Sequence, residues 1–274
     1  MNESNQKIVR YPAVAGQFYP ATPTQLAAAL DQYLQTSVQK TKAIGIVVPH
    51  AGYIYSGAVA GKVYATIHIP NKALVLCPNH TGLGAKAALM DSGSWQLPNG
   101  NISIDETMAM ALMKECSFLT KDHLAHLREH SLEVQLPFLL RLNPQIQFVP
   151  ITLSHLKLSE CEMLGEAIAR VTQNLSEPLL IVASSDMNHY EAHELTLQKD
   201  QLAIDAVLEK DPAKLYETVH TNHISMCGII PTTVMLYAAN RLGAKKATLI
   251  DHQTSGPVSG DYESVVGYAG IVIE

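Results

Sequence analysis

Three short aliphatic runs in this chain each end in a polar loop that carries histidine. Residues 44–48 (IGIVV) lead into Pro49-His50-Ala51-Gly52, residues 73–77 (ALVLC) into Pro78-Asn79-His80-Thr81-Gly82, and residues 179–183 (LLIVA) into Ser184-Ser185-Asp186-Met187-Asn188-His189. Imidazole is both the commonest metal ligand and the side chain that titrates nearest neutrality, so His50 and His80 are candidates to hold a metal ion. Asp186 and His189 stand three residues apart, and one turn of chain can aim both at one point. There Asp186 can orient an imidazole or accept a proton, and His189 can serve as acid or base. Cys227, in Met226-Cys227-Gly228, precedes a stretch of helical period, and a thiol at a helix N-terminus is biased toward the thiolate that binds metals. Each residue also has a plainer reading: a loop histidine making an ordinary hydrogen bond, an aspartate capping a turn, a cysteine filling a core. Three repeats of the pattern on separate runs favour the chemical reading.

Continuous aliphatic runs of this length read as strands buried on both faces. Between them lie stretches of helical period at 24–34, 56–67, 105–116, 129–142 and 159–174, followed by 195–210 and 228–242, then strand-like 247–251 and 264–273. The expected fold is α/β, a mostly parallel central sheet flanked by helices on both faces. In such sheets ligands bind beyond the carboxyl ends of the strands, which is where His50, His80, Asp186 and His189 fall. Asn99-Gly100 within SWQLPNGNISID is a strong hairpin signal and predicts an antiparallel insertion, with Ser103 or Asp105 capping the helix that follows. Residues 128–137 (REHSLEVQLP) form a polar helix start. There Glu129 and Glu133 share a face, and His130 with Glu133 shares an edge that could present a carboxylate and an imidazole to one site.

With 274 residues, 47% hydrophobic and 16% charged, the chain can bury one large core, and it carries neither a 20–50-residue repeat nor a low-complexity linker. One domain over residues 1–274 is expected. A formal charge of -6 without a Lys/Arg run argues against a nucleic-acid partner. The polar start of the chain lacks the apolar segment of a secretory signal, and no stretch is long enough to span a bilayer, so a cytoplasmic protein away from membranes is expected. Cys77, Cys116, Cys161 and Cys227 are spread without CxxC pairs, which suits a reducing compartment. The first three read as core, and His68, His123, His126, His155, His193, His220 and His252 as surface or supporting residues.

Eight segments in order resemble the Memo family, including the protein B members of the AmmeMemoRadiSam group. They are YPAVAGQFYP (11–20), VPHAGYIYSG (48–57), CPNHTG (77–82), EHSLEVQLPFL (129–139), SSDMNHY (184–190), MCG (226–228), TSG (254–256) and SVVGYA (264–269). The resemblance implies a fold like that of the class III extradiol ring-cleaving dioxygenases. Those enzymes hold non-haem iron with two histidines and a glutamate; the Memo family has a cysteine in the third position. By motif, His50, His80 and Cys227 correspond to the metal ligands and Asp186 with His189 to the acid–base pair. Tyr53, Asn79, His130, Glu133 and Ser255, in or beside the same motifs, are expected to line or support the cleft.

A thiolate in place of a carboxylate shifts the site toward softer or redox-active metals. The expectation is therefore one metal ion, copper or iron before zinc, in a redox-type protein acting on a small-molecule or peptide ligand. Two alternatives stand beside it: a zinc-dependent hydrolase, and a non-catalytic peptide- or protein-binding module using the same cleft. Family resemblance also implies radical-SAM and AMMECR-type protein partners. The phosphotyrosine-adaptor role described in animals depends on animal partners and is not carried over.

Overall fold

The computed structural model describes residues 8–274; the polar start read above, residues 1–7, lies outside the described residues. Among the described residues twelve strands are present: β1 Val9–Arg10, β2 Gly45–Val48, β3 Lys72–Pro78, β4 Ala87–Leu89, β5 Ser94–Leu97, β6 Gly100–Ile104, β7 Thr120–Lys121, β8 Gln147–Leu153, β9 Leu179–Ser184, β10 His189–Glu191, β11 Ala247–Thr254 and β12 Val265–Ile273. They form one sheet in the order β1-β5-β6-β8-β3-β9-β2-β12-β10, with β11 also on β12 and β4 on β8. Its centre is parallel from β6 to β2, and β12 closes it antiparallel to β2, β10 and β11. The fold is the expected α/β class, although the last two strands run as an antiparallel pair instead of continuing the strand–helix alternation.

Successive strand residues point to opposite faces, and the core divides accordingly. On β3, Leu74 and Leu76 face one apolar layer while Ala73, Val75 and Cys77 face the other. The first layer is packed by α3 (Glu106–Glu115), α6 (Leu158–Gln173), α7 (His193–Leu208), α8 (Pro212–Thr221) and α9 (Ile229–Arg241). The second is packed by α1 (Pro23–Tyr33), α2 (Tyr53–Ala65) and α5 (Leu136–Leu142). Among the described residues no helix is long and apolar enough to cross a membrane.

Two elements depart from expectation for reasons that involve proline. β8 was not foreseen because Pro150 breaks its run, yet it pairs with β3 along its whole length. Pro150 falls between the residues that pair with β6, Gln147 and Phe148, and those that pair with β4, Ile151 to Leu153, where the missing N–H costs no ladder bond on that side. The helix expected over 129–142 is two helices, α4 (His130–Glu133) and α5, because Pro137 lacks the N–H that would continue the first into the second. The hairpin at Asn99-Gly100 joins β5 to β6 as read, and Asp105 accepts from the Met108 N–H at 3.0 Å to cap α3.

Candidate metal centre

β3, β9 and β2 lie side by side, with Leu76 opposite Ala183 and Val48 opposite Ser184, so their carboxyl ends release three loops at one place on the sheet edge. Those loops carry His80, Asp186 and His50. The ring nitrogens of His50, His80 and His130 lie within 4.8 Å of one another. The sequence had placed His130 beside the site; the fold brings its ring into the group, with centroids 4.7 Å from His80 and 5.6 Å from His50.

Hydrogen bonding fixes how two of these imidazoles present themselves. Ser184 Oγ donates to the Ser131 carbonyl at 2.7 Å and accepts from Gln135 Nε2 at 2.9 Å. Its single proton is thus engaged, so at 2.9 Å from His50 Nδ1 it accepts, and His50 carries its hydrogen on Nδ1 and a lone pair on Nε2. His80 Nδ1 donates to Glu129 Oε1 at 2.9 Å, which leaves Nε2 bare in the same way. A carboxylate or hydroxyl behind a histidine is the arrangement that orients metal-ligating imidazoles. Burial holds the His50 imidazole neutral, well below the ordinary histidine value, and the neighbouring His80 and His130 imidazoles act in the same direction. Burial likewise lowers His130, against the pull of Glu129.

Glu129 is fully buried and spends both oxygens on the site: Oε2 accepts the His80 N–H at 2.6 Å, and Oε1 accepts the Ser131 N–H at 3.0 Å and hydroxyl at 2.7 Å. Burial alone would raise its carboxyl, but the hydrogen bond from His80, with the Ser131 donors, outweighs it and brings it to about 2. The carboxylate that shares a site with His130 is therefore Glu129, at 3.5 Å, and not Glu133 as the helical spacing suggested. Glu133 faces away: it pairs with Arg10 and accepts from the Ala13 and Val14 N–H groups and from the Tyr19 hydroxyl. It thereby anchors the segment 11–20, whose Phe18 ring packs 4.7 Å from His130.

Cys227 Sγ lies 3.2 Å from His50 Nε2 and accepts the Asp186 N–H at 3.3 Å, but it is not within the mutual 4.8 Å group that the three imidazoles form. The expected bias toward thiolate is reversed. Burial, with the adjacent Asp186 charge, pushes the thiol well above its ordinary value despite its place one residue before the N-cap of α9, so a metal must displace its proton to bind it. Gly228 makes this approach possible, because a Cβ there would run into Ser185 and the Ser184 carbonyl. Gly228→Ala is expected to cost about 1–3 kcal/mol through overpacking and to lower the melting temperature by roughly 5 °C. A thermal melt matching that of the unaltered protein would reject this account of the packing.

Asp186 Oδ1 accepts the backbone N–H groups of His50 at 2.7 Å and Ala51 at 3.3 Å, so in place of capping a turn of its own it ties the loop after β9 to the loop after β2. Its other oxygen stands 3.9 Å from His50 Nε2, and burial raises the carboxyl above its usual range. It is not what holds His189: that ring donates from Nδ1 to the Ser225 carbonyl at 2.9 Å, leaving Nε2 free. Tyr53, Asn79 and Ser255 shape the surroundings. The Tyr53 hydroxyl donates to the Val134 carbonyl at 2.7 Å, Asn79 Oδ1 accepts three donors from Thr81 and Gly82 to fold the loop after His80, and Ser255 Oγ accepts the Val266 N–H at 3.0 Å. Cys77, Cys116 and Cys161 are buried, with their thiols pushed up by burial.

Comparison with known proteins gives the family. The family model described as Memo-like protein matches residues 10–272. A MEMO1 family protein of Methanopyrus kandleri is 40% identical over 96% of this chain and 98% of its own length. One from Methanocaldococcus jannaschii is 40% identical over 97% and 99%, and one from Methanococcus maripaludis 41% over 97% and 100%. With similarity of that depth running from end to end, the chain belongs to the Memo family.

Proposed function

We propose that this chain is a redox-type metalloprotein that binds one copper or iron ion through His50, His80 and Cys227, with His189 moving a proton on a substrate bound beside it. The observation that supports it most is the pair of imidazoles whose Nδ1 hydrogens are already engaged, by Ser184 and by Glu129, so that each offers its Nε2 lone pair. The donors fit the group: two neutral imidazoles and a sulfur suit copper or a redox-active metal better than hard cations. Bound there, such an ion would supply electron-transfer chemistry to a ligand in the site. The protein's own part is to keep His50 and His80 aimed, to hold Asp186 against His50, and to leave His189 Nε2 free for a proton.

The grouping of His130 with His50 and His80 favours a second reading, in which three imidazoles hold zinc and the reaction is hydrolytic. Elemental analysis of protein purified without added metal separates the two. Stoichiometric copper or iron, with a spectrum that changes between air and reductant, is the expected result. Zinc without any redox response would establish the second reading, and a protein that retains no metal and takes none up would overturn both.

A further inference from the structure

His189 is held by a chain of hydrogen bonds that begins on the far side of its loop. Asp200, on α7, is completely buried, and its Oδ2 lies 2.8 Å from His252 Nε2. Its Oδ1 accepts the Asn188 N–H at 2.8 Å. Asn188 Oδ1 in turn accepts the Ser225 N–H at 3.0 Å and hydroxyl at 3.1 Å. Ser225 Oγ accepts the His189 N–H at 2.7 Å, and the Ser225 carbonyl takes the His189 ring hydrogen. Residues from α7, from the loop before α9 and from β11 thus converge on the loop that carries this imidazole. The approach is tight, since a Cβ at Gly267 on β12 would collide with the Asp200 carboxylate.

The segment so held is strained. Tyr190 adopts φ 62°, a left-handed conformation that an aromatic residue rarely takes, and the pairing of β10 with β12 shifts register between His189 and Glu191. Backbone of this kind persists only where surrounding contacts over-determine it, and it concentrates at functional sites. The same bulge leaves the Tyr190 ring 77% exposed and 5.6 Å from the His189 ring. Two of the hydrogen bonds that fix the strained turn, at the Asn188 N–H and the His189 N–H, belong to the Asp200 chain.

We infer that Asp200, with His252 behind it, is a positioning residue: it holds Asn188 and Ser225 so that His189 keeps its hydrogen on Nδ1 and leaves Nε2 unengaged. This rests on His189 being the acid–base group. A free neutral imidazole carries its proton mainly on Nε2, so the Nδ1–H form is a signature of the clamp and is set by the bond to Ser225. The chain reaches the imidazole through the Ser225 main chain, so disturbing Asp200 or Asn188 moves the carbonyl that selects the tautomer.

The test is ¹⁵N NMR of histidine-labelled protein above the histidine titration range, metal-free and zinc-loaded, with the His189 signal assigned through His189→Gln. The expected wild-type result is the Nδ1–H form. In Asp200→Ala the ratio of tautomers should move toward Nε2–H by roughly fivefold or more, the worth of one hydrogen bond. A variant that melts earlier but keeps the Nδ1–H signature would reduce Asp200 to a purely structural role and overturn the inference, as would a wild type already in the Nε2–H form. Should Asp200→Ala not fold, Asn188→Ala cuts the same chain without disturbing the buried carboxyl group; the same shift is expected, and an unchanged signature would overturn the inference. Because the tautomer is read without substrate, a His189→Gln protein with undiminished turnover would defeat the acid–base reading while leaving the positioning result intact.

Discussion

His50→Ala and His80→Ala are each expected to lower affinity for the resident metal by on the order of a hundredfold or more, since even the groups behind metal ligands are worth 10–100-fold. Competition with a chromophoric chelator measures this directly. The informative contrast is between Cys227→Ala and His130→Ala. Cys227 Sγ stands 3.2 Å from His50 Nε2 and is approached by the Asp186 N–H, so loss of its proton and a small shift toward His80 would complete a set with His50 and His80. Among the described residues none is bonded behind either ring nitrogen of His130 as Ser184 or Glu129 is behind the others; the nearest carboxylate oxygen among them is 3.5 Å away. An imidazole held so loosely is a poorer ligand than one whose tautomer is fixed. Cys227→Ala should therefore match the His50 and His80 losses, whereas His130→Ala should retain metal to within about tenfold. The reverse order would make the site a three-histidine one and favour zinc. Because a thiol must give up its proton, binding through Cys227 also predicts affinity that rises with pH above neutrality and loses that rise in Cys227→Ala.

The residues that the sequence exposes most clearly are those at strand ends. A strand buried on both faces shows itself as an aliphatic run, and a histidine or aspartate immediately beyond it has a predictable place on the sheet edge, which is why His50, His80 and Asp186 were found together. The groups that aim them were not legible in the same way. Glu129 and His130 occupy the first turn of a short helix, where acid beside the N-terminus normally means a solvated face. Only tertiary packing, with segment 11–20 laid across that helix and Phe18 against His130, makes Glu129 a buried carboxylate. Gln135 has no periodic signature either; its amide turns inward, onto the Pro49 carbonyl and Ser184, because Pro137 interrupts the helix just beyond it. The signal that was available is the sequence Glu129-His130-Ser131 itself, an acidic N-cap followed at once by an imidazole and a hydroxyl. Cys227 illustrates the opposite error, since a local rule about helix N-termini predicted a thiolate and the burial that decides the matter is not local.

Replacing Glu129 by glutamine should expose how much of the centre depends on that one carboxylate. The substitution keeps the shape of the side chain but removes the charge and puts an amide N–H₂ in place of one oxygen that now accepts from His80 or Ser131. Metal affinity is expected to fall 10–100-fold, because His80 loses the partner that fixes its tautomer. The metal-free protein should be less stable at neutral pH by about 3 kcal/mol at most, the free energy equivalent to holding a carboxyl near 2 that would otherwise titrate near 4.5. The sign follows from the direction of that shift. A carboxyl lowered in the folded state contributes its full stabilisation above its ordinary value and surrenders it as pH falls toward 2. The difference in unfolding free energy between the two proteins should thus be constant from pH 7 down to about 5 and shrink between about 4.5 and 2, where Glu129 itself becomes protonated. Urea melts of both metal-free proteins across that range measure it. A gap that stays constant below pH 4 would mean that the carboxylate acts through its shape and hydrogen bonds alone, and that the charge facing His80 contributes nothing to holding the site together.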